Sequence, residues 1–568
     1  MVSFPMKTLI KNFFLMAYAD IFNKRHYDMV GVGSDSRQLL IYAYDDNYDI
    51  YKQKFSYNFD NKIFSIIPCD LESNGNTGLI ISFKTEENYF ENILLDFKKE
   101  KGNLNVDIID LENTISAPFL FTNWENAKPA VFLDTSKNIK MLCMNDGTIS
   151  YEILKNLINE DERLKNDHAS TFVDLTGNLQ SDLCLFVNKN GSTWLKVFES
   201  KPNGFNLLFE IELTNNKIGP VLFGDFTNSG MNSMIFVEDD PNGPVLNLYI
   251  NKGRRENPIH YKSLKVSLEA INIEKGLFSK DSLYHKKIPI NSLYPKAQAI
   301  YNLEELNNIS GGIYVTDIDL DGTPEIFLLI KNEHSKKIIL PLKFNNTLND
   351  FIIYDEINAY LRVEDVVISF STVDYRNKGK EDIILNIIEN GSPIIIAYEN
   401  TLNKANMKLS LTTSLINKGS NKYGMSLPGI SYMLIFNDGN NLKISTNFGS
   451  GPFLHLVSQT STIGLGDSAF MINILRIGIS EHNKHKDIYF IDNSIIQNFD
   501  LIIFLGEYGK YKIVAFFNTS EYTFKILIVL ITVISVNLLF LLILYWRQSK
   551  HQKIIRSKDS THPLFRSL

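Results

Sequence analysis

Short acidic stretches recur along the chain at near-constant intervals, and this recurrence constrains the fold more than any other feature. They begin near residues 20, 70, 123, 174, 225, 317 and 374, so successive starts lie 50 to 57 residues apart, with one interval of 92. Apolar, β-branched residues typical of a strand follow the stretches. A period near 50 with several short strands per unit is typical of β-propeller blades. The repeat predicts an all-β, seven-bladed propeller over about residues 1–410.

The sixth stretch, VTDIDLDGTPEIFLLI at residues 315–330, carries the most carboxylates. A calcium loop of the EF-hand type beginning at Asp317 would need a glutamate at its twelfth position and a helix on each side. Leu328 stands at that position, and both flanks have the β-branched and aromatic composition of strands. The sequence therefore predicts an acidic hairpin loop between two strands, in which Gly322 permits a tight reversal.

Closely packed carboxylates repel one another unless a hard cation lies among them, and Ca²⁺ suits a loose set of oxygen ligands. We predict a calcium site at this loop, with a solvated acidic turn as the alternative. The predicted ligands are the side chains of Asp317, Asp319, Asp321 and Glu325, with the carbonyl of Thr323.

Two other loops retain part of this ligand pattern and are weaker metal candidates. They comprise Asp70, Glu72 and Asn74 in one loop, and Asp174, Thr176, Asn178 and Asp182 in the other. In the loop that begins at Asp374, Arg376 and Lys378 replace two ligand positions, so their charge can neutralise the carboxylates without metal. That loop is predicted to be metal-free.

The 21 residues from Ile526 to Trp546, ILIVLITVISVNLLFLLILYW, contain no charge. At about 1.5 Å per residue, a helix of this length crosses a bilayer core of about 30 Å. The sequence predicts a transmembrane helix over 524–546, followed by a basic tail over 547–568. Because basic residues flank membrane spans on the cytoplasmic side, we expect a single-pass type I protein with an extracellular or lumenal N-terminal part.

The N-terminal stretch MVSFPMKTLIKNFFLMAYADIF starts basic, but Lys11 and Asn12 interrupt its apolar run. Two explanations stay open: an upstream start is missing from this sequence, which we favour, or the protein is tail-anchored with its bulk in the cytosol. Glycosylation sequons compatible with a lumenal passage occur at Asn190, Asn308, Asn345 and Asn518.

Composition narrows the class of protein further. A hydrophobic fraction of 44% suits a folded chain, and a net charge of -7 gives no reason to expect nucleic-acid binding. The three cysteines, Cys69, Cys143 and Cys184, lie in apolar surroundings and are predicted to be buried thiols.

The acidic repeats stop at about residue 410, while strand-like alternation continues in ISYMLIFN, LKISTNF and YKIVAFFN. We predict a β-sandwich-like module over 411–520, next to the membrane. Gly464 and Gly466 form a GxG pattern, but no helix of a βαβ unit follows, so a tight turn is favoured over a nucleotide site.

Acidic DxDxDG hairpins in a seven-unit ring resemble the FG-GAP repeats of integrin α subunits, and the whole layout resembles the T-cell immunomodulatory protein (Linkin) family. The segment STIGLGDSAFMINILRIGIS, 461–480, is similar to a glycine-containing segment of that family, although Asp467 stands where the family has a basic residue. The resemblance implies an extracellular propeller in adhesion or signalling, with cytoplasmic links to tubulin or RuvB-like ATPases.

Catalytic patterns such as HExxH, a P-loop or a Ser-His-Asp order are not recognisable, so we expect a non-enzymatic protein that binds protein partners on the propeller face. Two alternatives stay open: a hydrolase built on the propeller, and a structural or trafficking component of an internal membrane.

Overall fold

A computed structural model divides the chain into two compact units, Met1–Phe516 and Phe517–Leu568. It describes residues 5–559 except for the following gaps: 46, 101–102, 160–161, 166–169, 202–203, 215–217, 241–242, 252–282, 296–297, 300–311, 332–336, 349, 359–365, 377, 403–406, 416–424, 437–441, 449–450, 452–455, 457, 459, 467–471, 481–487, 492–494, 496–498, 507–509 and 518–521. Part of the 92-residue interval between the fifth and sixth acidic stretches lies outside the described residues.

Within the described residues, the first unit consists mainly of β-strands, as the all-β prediction expects, and nearly all of them pair antiparallel. The strands of its first half are β1 (Met6–Lys11), β2 (Phe14–Ala19), β3 (Asp28–Val32), β4 (Gln38–Asp45), β5 (Ile50–Asn58), β6 (Ile63–Cys69), β7 (Gly78–Lys84), β8 (Phe90–Glu100), β9 (Asn103–Asp110), β10 (Phe119–Thr122), β11 (Pro129–Asp134), β12 (Ile139–Asn145), β13 (Thr148–Leu154), β14 (Arg163–Leu164), β15 (Thr171–Val173), β16 (Asp182–Lys189), β17 (Ser192–Lys201) and β18 (Gly204–Thr214).

The strands continue in the same manner to residue 398, with two one-turn helices between them. These elements are β19 (Leu222–Gly224), β20 (Ser233–Asp240), β21 (Gly243–Asn251), β22 (Leu283–Pro289), α1 (Ile290–Leu293), β23 (Gln298–Ala299), β24 (Ile313–Thr316), β25 (Glu325–Lys331), β26 (Lys337–Asn345), β27 (Asp350–Ile353), α2 (Asp355–Asn358), β28 (Val366–Val373), β29 (Asp382–Glu389) and β30 (Ser392–Tyr398).

Within the described residues, these strands form seven sheets of four or five strands. We number the sheets in chain order: sheet 1 is β2–β5, sheet 2 is β6–β9, sheet 3 is β10–β13, sheet 4 is β14–β18, sheet 5 is β19–β22, sheet 6 is β23–β27, and sheet 7 is β28–β30 with β1. Burial falls across a sheet, because the side chains of β2 are all buried while most of those of β5 are exposed. The same holds in sheet 3, where β10 is buried and most of β13 is exposed, so the first strand of these sheets is the inner one.

Apolar side chains join each sheet to the next, and β1 returns the chain to its beginning. The N-terminal strand pairs with β30, so residues from both ends of the repeat region share sheet 7. Contacts between neighbouring sheets include Phe55 with Phe97, Phe121 with Phe172, Phe226 with Phe351, Phe327 with Phe370, and Tyr18 with Ser371. Ile67 and Leu120 belong to one buried cluster that joins sheets 2 and 3, and Val173 and Phe223 belong to another that joins sheets 4 and 5. The arrangement is propeller-like, as the sequence period predicts.

Two further sheets follow the ring, and we call them together the second module. One sheet contains β31 (Met407–Leu415), β34 (Ser461–Gly466), β37 (Phe499–Leu505) and β38 (Tyr511–Phe517), and the other contains β32 (Ile430–Phe436), β33 (Leu442–Asn447), β35 (Ile472–Gly478) and β36 (Ile488–Ile491). Both sheets contribute to one core, in which Leu411, Tyr432 and Ile503 are buried together. The described residues between Met407 and Phe517 thus form two sheets with one shared core.

The second unit contains one long helix, α3 (Tyr522–Asp559). Within the described residues, Ile528–Arg556 is long and apolar enough to cross a membrane, and its most apolar stretch is exposed. The described helix does not end at Trp546, as the predicted span does, but continues for 13 residues into the basic tail. The reason is local, because residues 547–559 contain neither proline nor glycine and favour helix.

Candidate functional site

The acidic stretches occupy the same place in every sheet, where they connect an inner strand to the next strand outward. In six of the stretches, the first aspartate accepts hydrogen bonds from two backbone N–H groups three to five residues further along. The pairs are Asp20 with Lys24 and Arg25, Asp70 with Asn74 and Gly75, Asp174 with Gly177 and Leu179, Asp225 with Ser229 and Gly230, Asp317 with Asp321 and Gly322, and Asp374 with Lys378 and Gly379. This aspartate therefore shapes the turn in each case, whatever else the loop binds.

The Asp317 loop is an acidic hairpin between β24 and β25, as predicted, and not an EF-hand. Gly322 has φ +87, which permits the reversal that the sequence indicated. Oxygen atoms of Asp317, Asp319 and Glu325 lie within 4.8 Å of one another. Because Asp319 and Glu325 are buried, the loop concentrates negative charge where water cannot solvate it.

A lysine that the sequence analysis did not single out lies among these carboxylates. The ammonium Nζ of Lys343, on β26, is 2.9 Å from Asp319 Oδ2, 2.5 Å from Asp321 Oδ2 and 2.9 Å from Glu325 Oε1. The hydroxyl of Tyr354 donates a further hydrogen bond of 2.6 Å to Asp319 Oδ2. Strand register explains the position of the lysine, because Ile326 pairs with Leu342, which brings Glu325 and Lys343 side by side.

The electrostatics of the cluster follow from burial and from this ion pairing. Burial, reinforced by the neighbouring aspartates, raises the pKa of Asp317 and of Glu325 well above the usual range. Burial by itself would lower the pKa of Lys343, but Glu325, Asp319 and Asp321 outweigh it and raise that pKa. The ammonium group is therefore held in its charged form by the carboxylates.

The predicted calcium ligands can be tested against this geometry. By donor type, the carboxylates of Asp317, Asp319, Asp321 and Glu325 suit a hard cation. However, Nζ of Lys343 lies at hydrogen-bond distance from three of these four side chains, and Ca²⁺ needs the same oxygens at about 2.3–2.6 Å. Thr323 donates its N–H to Asp321 Oδ1 at 2.8 Å. A metal and the ammonium group do not fit this ligand set together.

The first weaker loop, which begins at Asp70, uses its predicted ligands in local contacts. Asn74 Nδ2 donates to Glu72 Oε2 at 2.6 Å, and Glu72 Oε1 also accepts a hydrogen bond from the backbone N–H of Gly147 in sheet 3. The side chain of Glu72 thus connects two neighbouring sheets. The structure places Asp70, Glu72 and Asn74 in one turn, where their shared contacts stabilise the hairpin.

The second weaker loop, which begins at Asp174, is organised in the same way. Asp182 Oδ2 accepts hydrogen bonds from the N–H groups of Leu175 at 3.1 Å and Thr176 at 2.9 Å. Asn178 Oδ1 accepts one from Gln180 at 2.7 Å. Metal binding at these two loops stays a prediction from the sequence.

In the Asp374 loop, cationic side chains contact the carboxylates, as predicted, but one of the two cations differs. Arg376 lies 3.3 Å from Asp382 Oδ2 and 2.7 Å from Glu399 Oε1. The partner of Asp374 is Lys408 of the second module, at 3.4 Å, and not the side chain of Lys378. Lys378 contributes its backbone N–H.

A cavity of about 150 Å³ lies beside the Asp317 loop, between inner strands of sheets 5 to 7 and the second module. Its acidic lining residues are Asp225, Asp317 and Glu381. Glu381 is 8% exposed, and its Oε2 accepts hydrogen bonds of 2.6 Å from the hydroxyls of Thr316 and Thr372. Glu381 thus places a buried carboxylate at the wall of this cavity.

The sequons differ in accessibility. Asn190 is exposed in the hairpin between β16 and β17, whereas Asn345 ends β26 and its Oδ1 accepts hydrogen bonds from the N–H groups of Thr347 and Leu348. Asn308 and Asn518 lie outside the described residues. Of the predicted buried thiols, Cys69 and Cys184 are buried and Cys143 is half-buried, and all three are free.

Replacing Asp70 with asparagine is expected to flatten the pH dependence of stability. Burial raises the pKa of Asp70 to about 7, although the N–H groups of Gly75 and Asn74 oppose this. Since the folded protein binds this proton more tightly than the unfolded chain, the contribution of Asp70 to stability is full below pH 4 and declines towards pH 7, by about 4 kcal/mol. Thermal unfolding in detergent at a series of pH values measures the slope.

Asparagine fits the position, because Asn123 occupies it in sheet 3 and accepts a hydrogen bond from the N–H of Glu125 at 2.9 Å. Asp35→Asn is the control. Backbone hydrogen bonds, chiefly the one from the N–H of Arg37, lower the pKa of exposed Asp35, so this substitution changes the pH dependence of stability below pH 4. Equal slopes for wild type and Asp70→Asn between pH 4 and 7 would contradict the prediction.

Comparison with known proteins does not assign a family. No protein-family model matches the chain, and no curated protein matches it. Among solved structures, the chain is similar to the WD40 domain of SCAP from fission yeast, with 10% identity over 68% of this chain and 82% of that chain and a TM-score of 0.34. It is also similar to the complex of the fission yeast SREBP-SCAP binding domains, with 11% identity over 48% of this chain and 73% of that chain and a TM-score of 0.30. Similarity at this level carries no argument about function.

Proposed function

We propose that this protein is a membrane-anchored binding scaffold: a seven-bladed propeller of the FG-GAP type that binds protein partners in adhesion or signalling, held at the membrane by α3. The observation that carries the proposal is that a compact β unit of 516 residues precedes a helix whose most apolar stretch is exposed. Exposed apolar side chains such as Val536 and Leu539 are stable in lipid and not in water.

The ring supports a binding role through its surface. Propellers present many loops on two faces of one rigid ring, which suits recognition of protein partners. The second module contacts the face that carries the acidic loops: Thr122 donates to the carbonyl of Pro428, Ser181 to that of Gly429, and Asn232 to Thr446. We therefore expect partners to reach the opposite face, at the hairpins that join the strand after each acidic loop to the next strand outward, such as the hairpin between β16 and β17.

We further propose a type I orientation, with the ring in the lumen or outside the cell. The basic residues Arg547, Lys550, Lys553 and Arg556 all follow the span, which places this end in the cytoplasm. Links to tubulin or RuvB-like ATPases would then form at the tail. The alternative, a component of an internal membrane, shares this topology and differs only in its destination.

Glycosidase treatment tests the orientation. In a type I protein the exposed sequon at Asn190 receives a glycan, so endoglycosidase treatment is expected to increase gel mobility. Ser192→Ala removes this sequon without altering Asn190, whose φ of +53 is sensitive to substitution, and should abolish the part of the shift that belongs to this site. As a control, Ser229→Ala changes a serine outside any sequon and should leave the shift intact.

Protease treatment of intact microsomes provides the second readout. The ring is expected to be protected until detergent is added. Mobility unaffected by glycosidase, together with a ring digested on intact microsomes, would reverse the orientation and support the tail-anchored alternative.

A further inference from the structure

The acidic loop of sheet 6 is in direct contact with the second module. Lys443 on β33 points its Nζ at the carbonyl oxygens of Asp321, at 3.3 Å, and Gly322, at 3.1 Å. On β34, the backbone N–H of Gly466 donates a hydrogen bond of 2.9 Å to the carbonyl of Leu320. The loop that sequence alone predicts to hold calcium is thus bound by two neighbouring strands of another part of the chain.

Gly464 explains why the loop can approach β34 so closely. A Cβ atom at this position would lie 2.1 Å from Asp317 Oδ2 and 2.4 Å from the carbonyl carbon of Leu320. Only glycine leaves room for that approach. The glycine pattern of Gly464 and Gly466 therefore has a packing role against the acidic loop.

Two lysines contact this loop from opposite sides. Lys343 contacts the carboxylates of Asp319, Asp321 and Glu325 from within sheet 6, while Lys443 contacts the tip from the second module. Burial is the main cause that lowers the pKa of Lys443, and Asp317 and Asp321 oppose it. The cation that a cluster of carboxylates requires is therefore supplied by the chain itself.

The loop of sheet 7 repeats the arrangement with different residues. Arg376, from the same sheet, contacts Asp382, and Lys408, from β31 of the second module, contacts Asp374. Lys408 is buried, with only 6% of the residue exposed. In two successive sheets, one cation of the ring and one lysine of the second module thus contact one acidic loop.

We propose that the acidic loops of sheets 6 and 7 are sockets, that is, sites at which the ring binds the second module. Lys443 and Lys408 are the side chains that enter these sockets. Their ammonium groups take the role that calcium has in metal-binding loops of this pattern. The ligand class of these loops is then a primary amine on a β-strand, not a divalent metal. This inference concerns the inner construction of the first unit and does not depend on the orientation proposed above.

Hydrogen exchange of the full-length protein in detergent tests the socket. We compare two variants with wild type: the double variant Lys443→Met with Lys408→Met, and Gly464→Ala. Each is expected to raise the amide exchange rate about ten-fold at residues 317–324 and 461–466, because contacts that protect these amides from exchange are lost. Exchange at β12 and β13, whose described strand pairing lies within sheet 3, should stay unchanged and shows that the ring is folded.

Two matched controls separate docking from general damage. Lys98→Met removes a lysine whose partners, Asp96 and Asp107, lie within one sheet, and Gly33→Ala places a Cβ 3.2 Å from the flexible end of Gln38. Neither control should change exchange at 317–324 or 461–466. Unchanged exchange in the lysine double variant would overturn the proposed insertion.

Calcium supplies the decisive comparison. Wild-type unfolding temperature is expected to be the same in EDTA and in millimolar calcium chloride, because the ammonium groups already balance the loop. A rise with calcium that EDTA reverses, and that Asp319→Asn abolishes, would show that the loop is a metal site and overturn the proposal.

Discussion

Lys343→Met is expected to lower the free energy of unfolding by about 3 kcal/mol, the low end of the cost of removing one partner from a buried ion pair. The substitution keeps the length of the side chain but leaves the carboxylates of Asp319 and Glu325 buried without their cation. Asp321 is 35% exposed and can be partly solvated, which is why the low end applies. Chemical denaturation of the full-length protein in detergent measures the change.

The same variant distinguishes the two accounts of the loop. Once the ammonium group is gone, the oxygens of Asp317, Asp319 and Glu325 suit a hard cation, so calcium should restore part of the lost stability of Lys343→Met while leaving wild type unchanged. Lys98→Met, at an ion pair with both partners partly exposed, should cost well under 1 kcal/mol. A Lys343→Met protein as stable as wild type would show that this charge is not needed.

Val536→Arg combined with Leu539→Arg is expected to prevent membrane integration of α3. Each arginine at the centre of a span costs about 2.5–3.5 kcal/mol on insertion, so the pair costs about 5–7 kcal/mol. Both positions lie near the middle of the uncharged run from Ile526 to Trp546. Extraction of membranes with alkaline carbonate measures the result: wild type should stay in the pellet and the double variant should enter the supernatant.

Val536→Ala with Leu539→Ala is the matched control for this experiment. Alanine shortens the same two side chains without adding charge, and the remaining run is apolar enough to stay inserted. A double-arginine variant that resists carbonate extraction would mean that another part of the chain holds the protein at the membrane.

Much of the fold followed from local sequence. The acidic stretches predicted the hairpins correctly, because an aspartate that accepts backbone N–H groups four and five residues ahead needs only its own turn. The β-branched flanks of Asp317 correctly excluded an EF-hand, and the uncharged run after Ile526 predicted a helix suited to a membrane. These signals lie within one turn or one element, where the chain itself brings the residues together.

The charge balance at the loops could not be predicted from such signals. Lys343 reaches Glu325 because β26 pairs with β25 in one register, and sequence does not fix that register. Lys443 and Lys408 are further away still, 122 residues from Asp321 and 34 from Asp374. The acidic pattern therefore suggested calcium when considered without these lysines.

Sequence by itself determined the hairpins, the repeat and the apolar helix, since hydrogen bonding in turns and side-chain hydrophobicity act over a few residues. Only the tertiary structure decided that β1 completes sheet 7, that Gly464 packs on Asp317, and that lysines lie where a metal was expected. The physical reason is that a buried carboxylate must be balanced by whichever positive charge the fold brings within contact, and the order of residues along the chain does not record that distance.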